Sequence, residues 1–225
     1  MAFSRKERKT LNVTARPAEQ RHAPGKGGID ITLSNKITIS RIVIIPFFMV
    51  FAFPWPSFIG FGIPYPVRVI VSLVLFVLAS ISDAIDGKIA RKFNQITDFG
   101  KFLDPIADKL LVTVALLALC AERPIYVWAT AIILMREFIV TGLRLVAAAG
   151  GRVIAAGKLG KAKTTLQTVS IITLYSAKVL GLIYAPIEKY LVILGDIVMF
   201  AAVVMTIISG VEYIVRNKDV LRGSI

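Results

Sequence analysis

Apolar positions along this chain gather into six long runs, at about 36–53, 66–85, 100–120, 124–148, 164–185 and 190–215. A bilayer core requires about 20 mainly apolar residues per helix, and each run comes close to that length. The third is short if counted from Leu110 and adequate if counted from near Gly100, which places Asp104 and Asp108 in its first turns. The pattern predicts an all-α integral membrane protein of six transmembrane helices.

The polar connections sort by charge. "PWPSFIGFGIPY" carries none, and "AERP" and "APIEK" carry one charge of each sign. The opposite side holds Lys88, Arg91, Lys92 and Lys101, then Arg152, Lys158, Lys161 and Lys163, then Arg216, Lys218 and Arg222. By the positive-inside rule the basic side is cytoplasmic, and six spans put both termini there. Residues 1–34 form a basic, polar tail, expected to be partly disordered, with no apolar core of a cleavable signal.

Composition sharpens this reading. The 225 residues are 56% hydrophobic, with a mean hydropathy of +0.74 and a formal net charge of +13. Membrane lipids, not nucleic acid, are the expected partners of that charge. A single cysteine, Cys120, excludes an intrachain disulfide, and a single histidine, His22, lies in the tail. Histidine-based metal sites and Ser-His-Asp or Cys-His catalysis are therefore disfavoured. A metal here would be a hard cation held by oxygen.

The chemistry concentrates in "SDAIDGKIARKFNQITDFGKFLDPIAD", Ser82 to Asp108, which carries five aspartates beside apolar segments. Helical residues step by about 100°, so Asp83, Asp86, Gly87 and Ala90 share roughly a third of a helix surface, with Arg91 at its margin. Gly100, Asp104, Ala107 and Asp108 do the same downstream. Asp104 before Pro105 also fits an ordinary N-cap, and nearby cations offer salt bridges. Yet the i+4 positions of Asp83, Asp86 and Asp104 are Gly87, Ala90 and Asp108, none of them a cation. A mid-membrane aspartate costs roughly 2.5–3.5 kcal/mol, less near an interface. Two divalent ions would cancel four such charges, and oxygen ligands suit magnesium, manganese or calcium.

Read as Asp83-x-x-Asp86-Gly87-x-x-Ala90-Arg91, eight residues, Gly100-x-x-x-Asp104-x-x-x-Asp108, the stretch resembles the signature of the CDP-alcohol phosphatidyltransferases. All eight fixed positions match, and the six-span topology agrees. The resemblance implies a family domain over residues 35–225, with a polar active-site cavity facing the cytoplasm. It also implies two magnesium or manganese ions per active site, a CDP-diacylglycerol donor, a homodimer and placement in a bacterial inner membrane. Asp83, Asp86, Asp104 and Asp108 are then the metal ligands, and Asp108 is also the base that activates the alcohol. Gly87, Ala90, Arg91 and Gly100 are implied to line the donor. "NKITISR", Asn35 to Arg41, resembles the family's N-x-x-T-x-x-R opening near the nucleotide, which adds Thr38 and Arg41. Arg41 snorkelling to headgroups is an equally simple account.

The acceptor is read from the fourth and fifth runs. In "REFIVTGLRLVAAAGG", Glu137, Thr141 and Arg144 share a helix face while Arg136 lies about 100° away. "GKLGKAKTTLQT" brings Lys158, Lys161 and Lys163 to the start of the next span. The loop lysines follow partly from the positive-inside bias, but Arg136 and Arg144 within a span do not. These cations suggest a phosphorylated alcohol, and Arg136, Arg144, Lys161 and Lys163 are the candidates for its phosphate. Both segments are similar to the branch of the family whose product is phosphatidylglycerol phosphate, which implies glycerol 3-phosphate. Inositol phosphate is the nearest rival acceptor. A divalent-cation channel or transporter is the rival from another class, for which Asp196 and Glu212 in the last span would be path-lining acids.

Overall fold

The computed structural model describes residues 33–54, 62–93, 98–150 and 157–218; the side chains of 33–37, 83–93, 98–105, 108, 149 and 158 are outside the description. Among the described residues six helices follow one another: α1 (Leu33–Ala52), α2 (Tyr65–Phe93), α3 (Asp98–Glu122), α4 (Tyr126–Ala149), α5 (Lys158–Gly181) and α6 (Ala185–Arg216). Among the described residues there is no strand. The basic tail lies outside the described residues.

Two boundaries differ from the apolar runs. Helix α2 continues to Phe93, through both of its aspartates, and α5 begins at Lys158, ahead of the apolar run that starts near 164. Helix geometry therefore outlasts hydrophobicity at the polar end of the chain, because Ala, Lys, Arg and Leu all propagate a helix well. Two helices, α2 over Tyr65–Ser82 and α6 over Ala185–Arg216, are long and apolar enough to cross a membrane by length and composition. The protein is a membrane protein on this composition.

The helices touch in a cyclic order, α1 to α2, α2 to α5, α5 to α6, α6 to α4, α4 to α3 and α3 back to α1. Each contributes one stripe to the interior. Phe48, Phe76 and Tyr175 meet there with ring centroids 5.9 to 6.4 Å apart, joining α1, α2 and α5. Small residues let backbones approach where α5 meets α6: a Cβ on Gly195 would lie 2.6 Å from Leu174 Cδ2. Ser170 Oγ donates to the Gly195 carbonyl at 2.8 Å across the same contact. Such close packing is how helices associate where lipid offers no hydrophobic contrast.

The end of the bundle at the α3–α4 turn is tied by charge. Arg123 donates to both carboxylate oxygens of Asp196 at 3.1 and 3.0 Å, and Tyr126 Oη donates to Asp196 at 2.5 Å. Lys178 pairs with Glu122 beside them. At the same end Arg68 Nη2 donates to the Phe53 carbonyl, 2.5 Å away, holding the exit of α1 against α2. Asp196 is thus committed to a structural pair, and Glu212 is exposed on the bundle's outside.

Candidate active site

The acidic signature continues the buried stripes of two helices. On α2 the buried positions Ser72, Phe76 and Ala79 alternate in steps of four and three. The next members of that series are Asp83, Asp86 and Ala90. On α3 the buried positions Ala107, Leu111 and Ala115 define the inner face, and Asp104 and Asp108 fall on it. Because α2 ends where α3 begins, the two acidic stretches occupy the same end of an antiparallel pair whose helices are in contact. The side chains of the eight signature positions lie outside the described ones. Among the described residues no cluster of three His, Cys, Asp or Glu side chains forms a metal site.

Helix α1 brings its own polar pair to that end. Thr38 and Arg41 are 0% and 1% exposed, and they head the buried series that runs on through Ile45, Phe48 and Ala52. Arg41 is therefore an interior group in the bundle, not a side chain reaching for headgroups. It places a cation inside the bundle, on the helix that packs against both α2 and α3.

A second polar cluster joins α3, α4 and α5. Its hub is Glu137: Lys163 of α5 forms an ion pair with it, Arg136 Nη1 lies 3.3 Å from Oε1, and Lys109 Nζ lies 3.9 Å from Oε2. Lys109 also donates to Thr141 Oγ1 at 2.6 Å. Three cations thus gather at one carboxylate. Lys163 is 3% exposed, Arg136 13% and Glu137 22%, so these three charges sit largely inside the protein, where charge interacts strongly, while Lys109 is 40% exposed.

The predicted acceptor residues separate into two kinds. Arg136 and Lys163 are drawn into the cluster. Arg144 is exposed along α4, but its Nε donates to Tyr213 Oη at 3.2 Å and its guanidinium lies 5.6 Å from that ring's centroid. Lys161 is exposed near the start of α5. Sequence reasoning placed Glu137 on the right face without recognising it as the hub, and it missed Lys109, Tyr213 and Gly210. The pairing of Arg144 with Tyr213 spans 69 residues, so no local spacing signals it.

A cavity of about 400 Å³ lies between α3, α4 and α5. Lys109, Glu137 and Thr141 line its polar side, and Leu116, Ile133 and Leu134 its apolar side. On α3 the described residues that line it lie, by helical spacing, on the face away from the aspartate positions, and the cavity borders the basic cluster.

A family profile described as CDP-alcohol phosphatidyltransferase matches residues 31–208. Among similar proteins is the CDP-diacylglycerol–glycerol-3-phosphate 3-phosphatidyltransferase of Bacillus subtilis (strain 168), 42% identical over 195 residues, covering 85% of this chain and 98% of that protein. A probable phosphatidylglycerophosphate synthase of Mycobacterium tuberculosis is 38% identical over 214 residues, covering 95% of this chain and 94% of its own. The CDP-diacylglycerol–glycerol-3-phosphate 3-phosphatidyltransferase of Rickettsia bellii is 40% identical over 185 residues, covering 82% and 94%. With an intact acidic signature on two adjoining helices and a profile that spans most of its length, the chain belongs to the CDP-alcohol phosphatidyltransferase family.

Proposed function

We propose that the protein transfers the phosphatidyl group of CDP-diacylglycerol to glycerol 3-phosphate, yielding phosphatidylglycerol phosphate and CMP. The observation that carries this reading is the basic cluster around Glu137 on the bundle that also bears the complete acidic signature. A neutral acceptor such as serine would not call for these cations. The names of the relatives point to the same reaction.

Asp83, Asp86, Asp104 and Asp108 are the proposed ligands for two magnesium or manganese ions. The fit rests on the backbone: both acidic pairs continue interior stripes at one end of adjoining helices, and an all-oxygen donor set suits a hard divalent ion. When bound, such ions supply charge neutralisation at the donor's pyrophosphate and at the departing CMP. Arg41, Thr38 and Arg91 are assigned to the donor's phosphates and nucleotide, and Gly87, Ala90 and Gly100 to close approach of the donor.

Asp108 is assigned as general base. The alcohol oxygen of the acceptor attacks the donor's diacylglycerol-bearing phosphorus, its proton passes to Asp108, and the bond from that phosphorus to the CMP oxygen breaks. Arg136, Arg144, Lys161 and Lys163 bind the acceptor's own phosphate, which holds the hydroxyl at the attacking position. Six spans, cytoplasmic termini and active site, a homodimer, a bacterial inner membrane and a tail over residues 1–34 complete the proposal.

The decisive assay supplies purified protein, reconstituted with CDP-diacylglycerol and magnesium, with glycerol 3-phosphate, inositol phosphate or serine, and follows CMP release. Release with glycerol 3-phosphate is expected. Release with inositol phosphate alone would move the assignment to that acceptor.

A further inference from the structure

Helix α6 carries none of the acidic signature and none of the predicted acceptor residues, yet two of its interior positions bear directly on the two arginines of α4. We infer that Tyr213 and Gly210 are positioning residues for the acceptor's phosphate, Tyr213 through Arg144 and Gly210 through Arg136. This rests on the transfer reaction proposed above and extends the acceptor's binding machinery from α4 and α5 to α6.

Tyr213 is buried at the α4–α6 contact with Val140 and Leu143. Its ring lies 5.6 Å from the Arg144 guanidinium, and its hydroxyl accepts from Arg144 Nε at 3.2 Å. The atom engaged matters. Holding Nε fixes the plane of the guanidinium while the two Nη groups keep the forked geometry that matches phosphate oxygens. An arginine on an exposed helix face otherwise loses much rotamer freedom on binding, and a side chain already held in place avoids that loss.

Gly210 acts by what it lacks. It shares the buried stripe of α6 with Thr206 and Tyr213, and a Cβ there would lie 3.1 Å from Arg136 Cγ. That is tighter than side-chain packing ordinarily permits, so any larger residue displaces the base of the Arg136 side chain. With glycine in place, Arg136 lies across α6, and its Nη2 comes within 3.7 Å of where a Gly160 Cβ would stand, in the first turn of α5. Lys161 and Lys163 follow from that turn. Arg136 Nε is buried and without a hydrogen-bond partner among the described residues, as suits a group that awaits an anion.

The test uses the full-length protein in vesicles and separate Michaelis constants for glycerol 3-phosphate and CDP-diacylglycerol. Tyr213→Phe keeps the ring and the packing but removes the acceptor for Arg144 Nε. It is expected to raise KM for glycerol 3-phosphate about tenfold, the size of one hydrogen bond to a charged group, with kcat and KM for CDP-diacylglycerol unchanged. Competitive inhibition by inorganic phosphate should weaken in parallel. Gly210→Ala is expected to raise the same KM and to leave the donor's alone. Thermal unfolding of each variant is measured beside the kinetics. A Tyr213→Phe protein with unaltered KM for glycerol 3-phosphate, or one whose constants for both substrates rise together with a loss of stability, overturns the inference. If the unmodified protein transfers to glycerol 3-phosphate while Tyr213→Phe gives either of those results, only this inference fails. If the unmodified protein does not use glycerol 3-phosphate at all, the proposed reaction fails and this inference with it.

Discussion

Lys163 of α5, almost wholly buried, is ion-paired with Glu137 of α4, and that carboxylate also faces Arg136 and Lys109. One acid on α4 thus gathers cations from three helices. Removing it takes a carboxylate away from the buried Lys163 and the largely buried Arg136, which costs more than the pair contributes by itself. Glu137→Gln is expected to lower stability by about 1–3 kcal/mol. Thermal unfolding in detergent checks this, with Glu137→Gln combined with Lys163→Met expected to recover part of the loss, as coupled neighbours do.

Asp108 tests the chemical step. Asp108→Asn preserves size and removes the basic carboxylate, so CMP release should fall by roughly 10²- to 10⁴-fold with the unfolding midpoint little changed. Turnover at the normal rate in this variant would take the role of base away from Asp108.

Metal dependence follows from an all-oxygen acidic site. Stripping the protein with EDTA should abolish CMP release, and magnesium or manganese should restore it. Binding of manganese, followed by paramagnetic resonance, should be lost in Asp83→Asn, a readout that does not depend on turnover. Retention of full manganese binding in Asp83→Asn would remove Asp83 from the ligand set.

The Arg123–Asp196 pair lies at the opposite end from the acidic signature, and its members are 43% and 35% exposed. Ion pairs so open to water contribute little, so Asp196→Asn should cost at most about 1 kcal/mol and leave transfer unchanged. A large loss of activity would mean that the far end of the bundle communicates with the site.

Gly195 tests helix packing. A methyl there overlaps Leu174, so Gly195→Ala should destabilise by about 1–3 kcal/mol. Leu174→Ala in the same chain should relieve the overlap, which unfolding of the double variant would show.

Much of this protein is legible in the order of its residues. The apolar runs predicted all six helices, because the length a bilayer demands is written directly as consecutive apolar residues. The acidic signature was equally plain, since its members are close in sequence and a helix turns spacing of three and four into a shared face. Where α2 and α5 begin and end was less plain: helices persist past the apolar runs, and hydropathy does not register their amphipathic ends. Arg41 shows the limit from another side. Its sequence surroundings suit a headgroup contact as well as an interior one, and only the packing of α1 against two other helices places it inside.

By itself, then, the sequence determined the helices, their order and the positions of the acids along them, all of which depend on near neighbours in the chain. Tertiary structure alone decided that Glu137 gathers Lys109, Arg136 and Lys163, that Tyr213 steadies Arg144, and that Gly210 makes room for Arg136. Those contacts join residues from different helices, and their geometry follows from how the six helices close on one another, a property of the packed chain that no local spacing encodes.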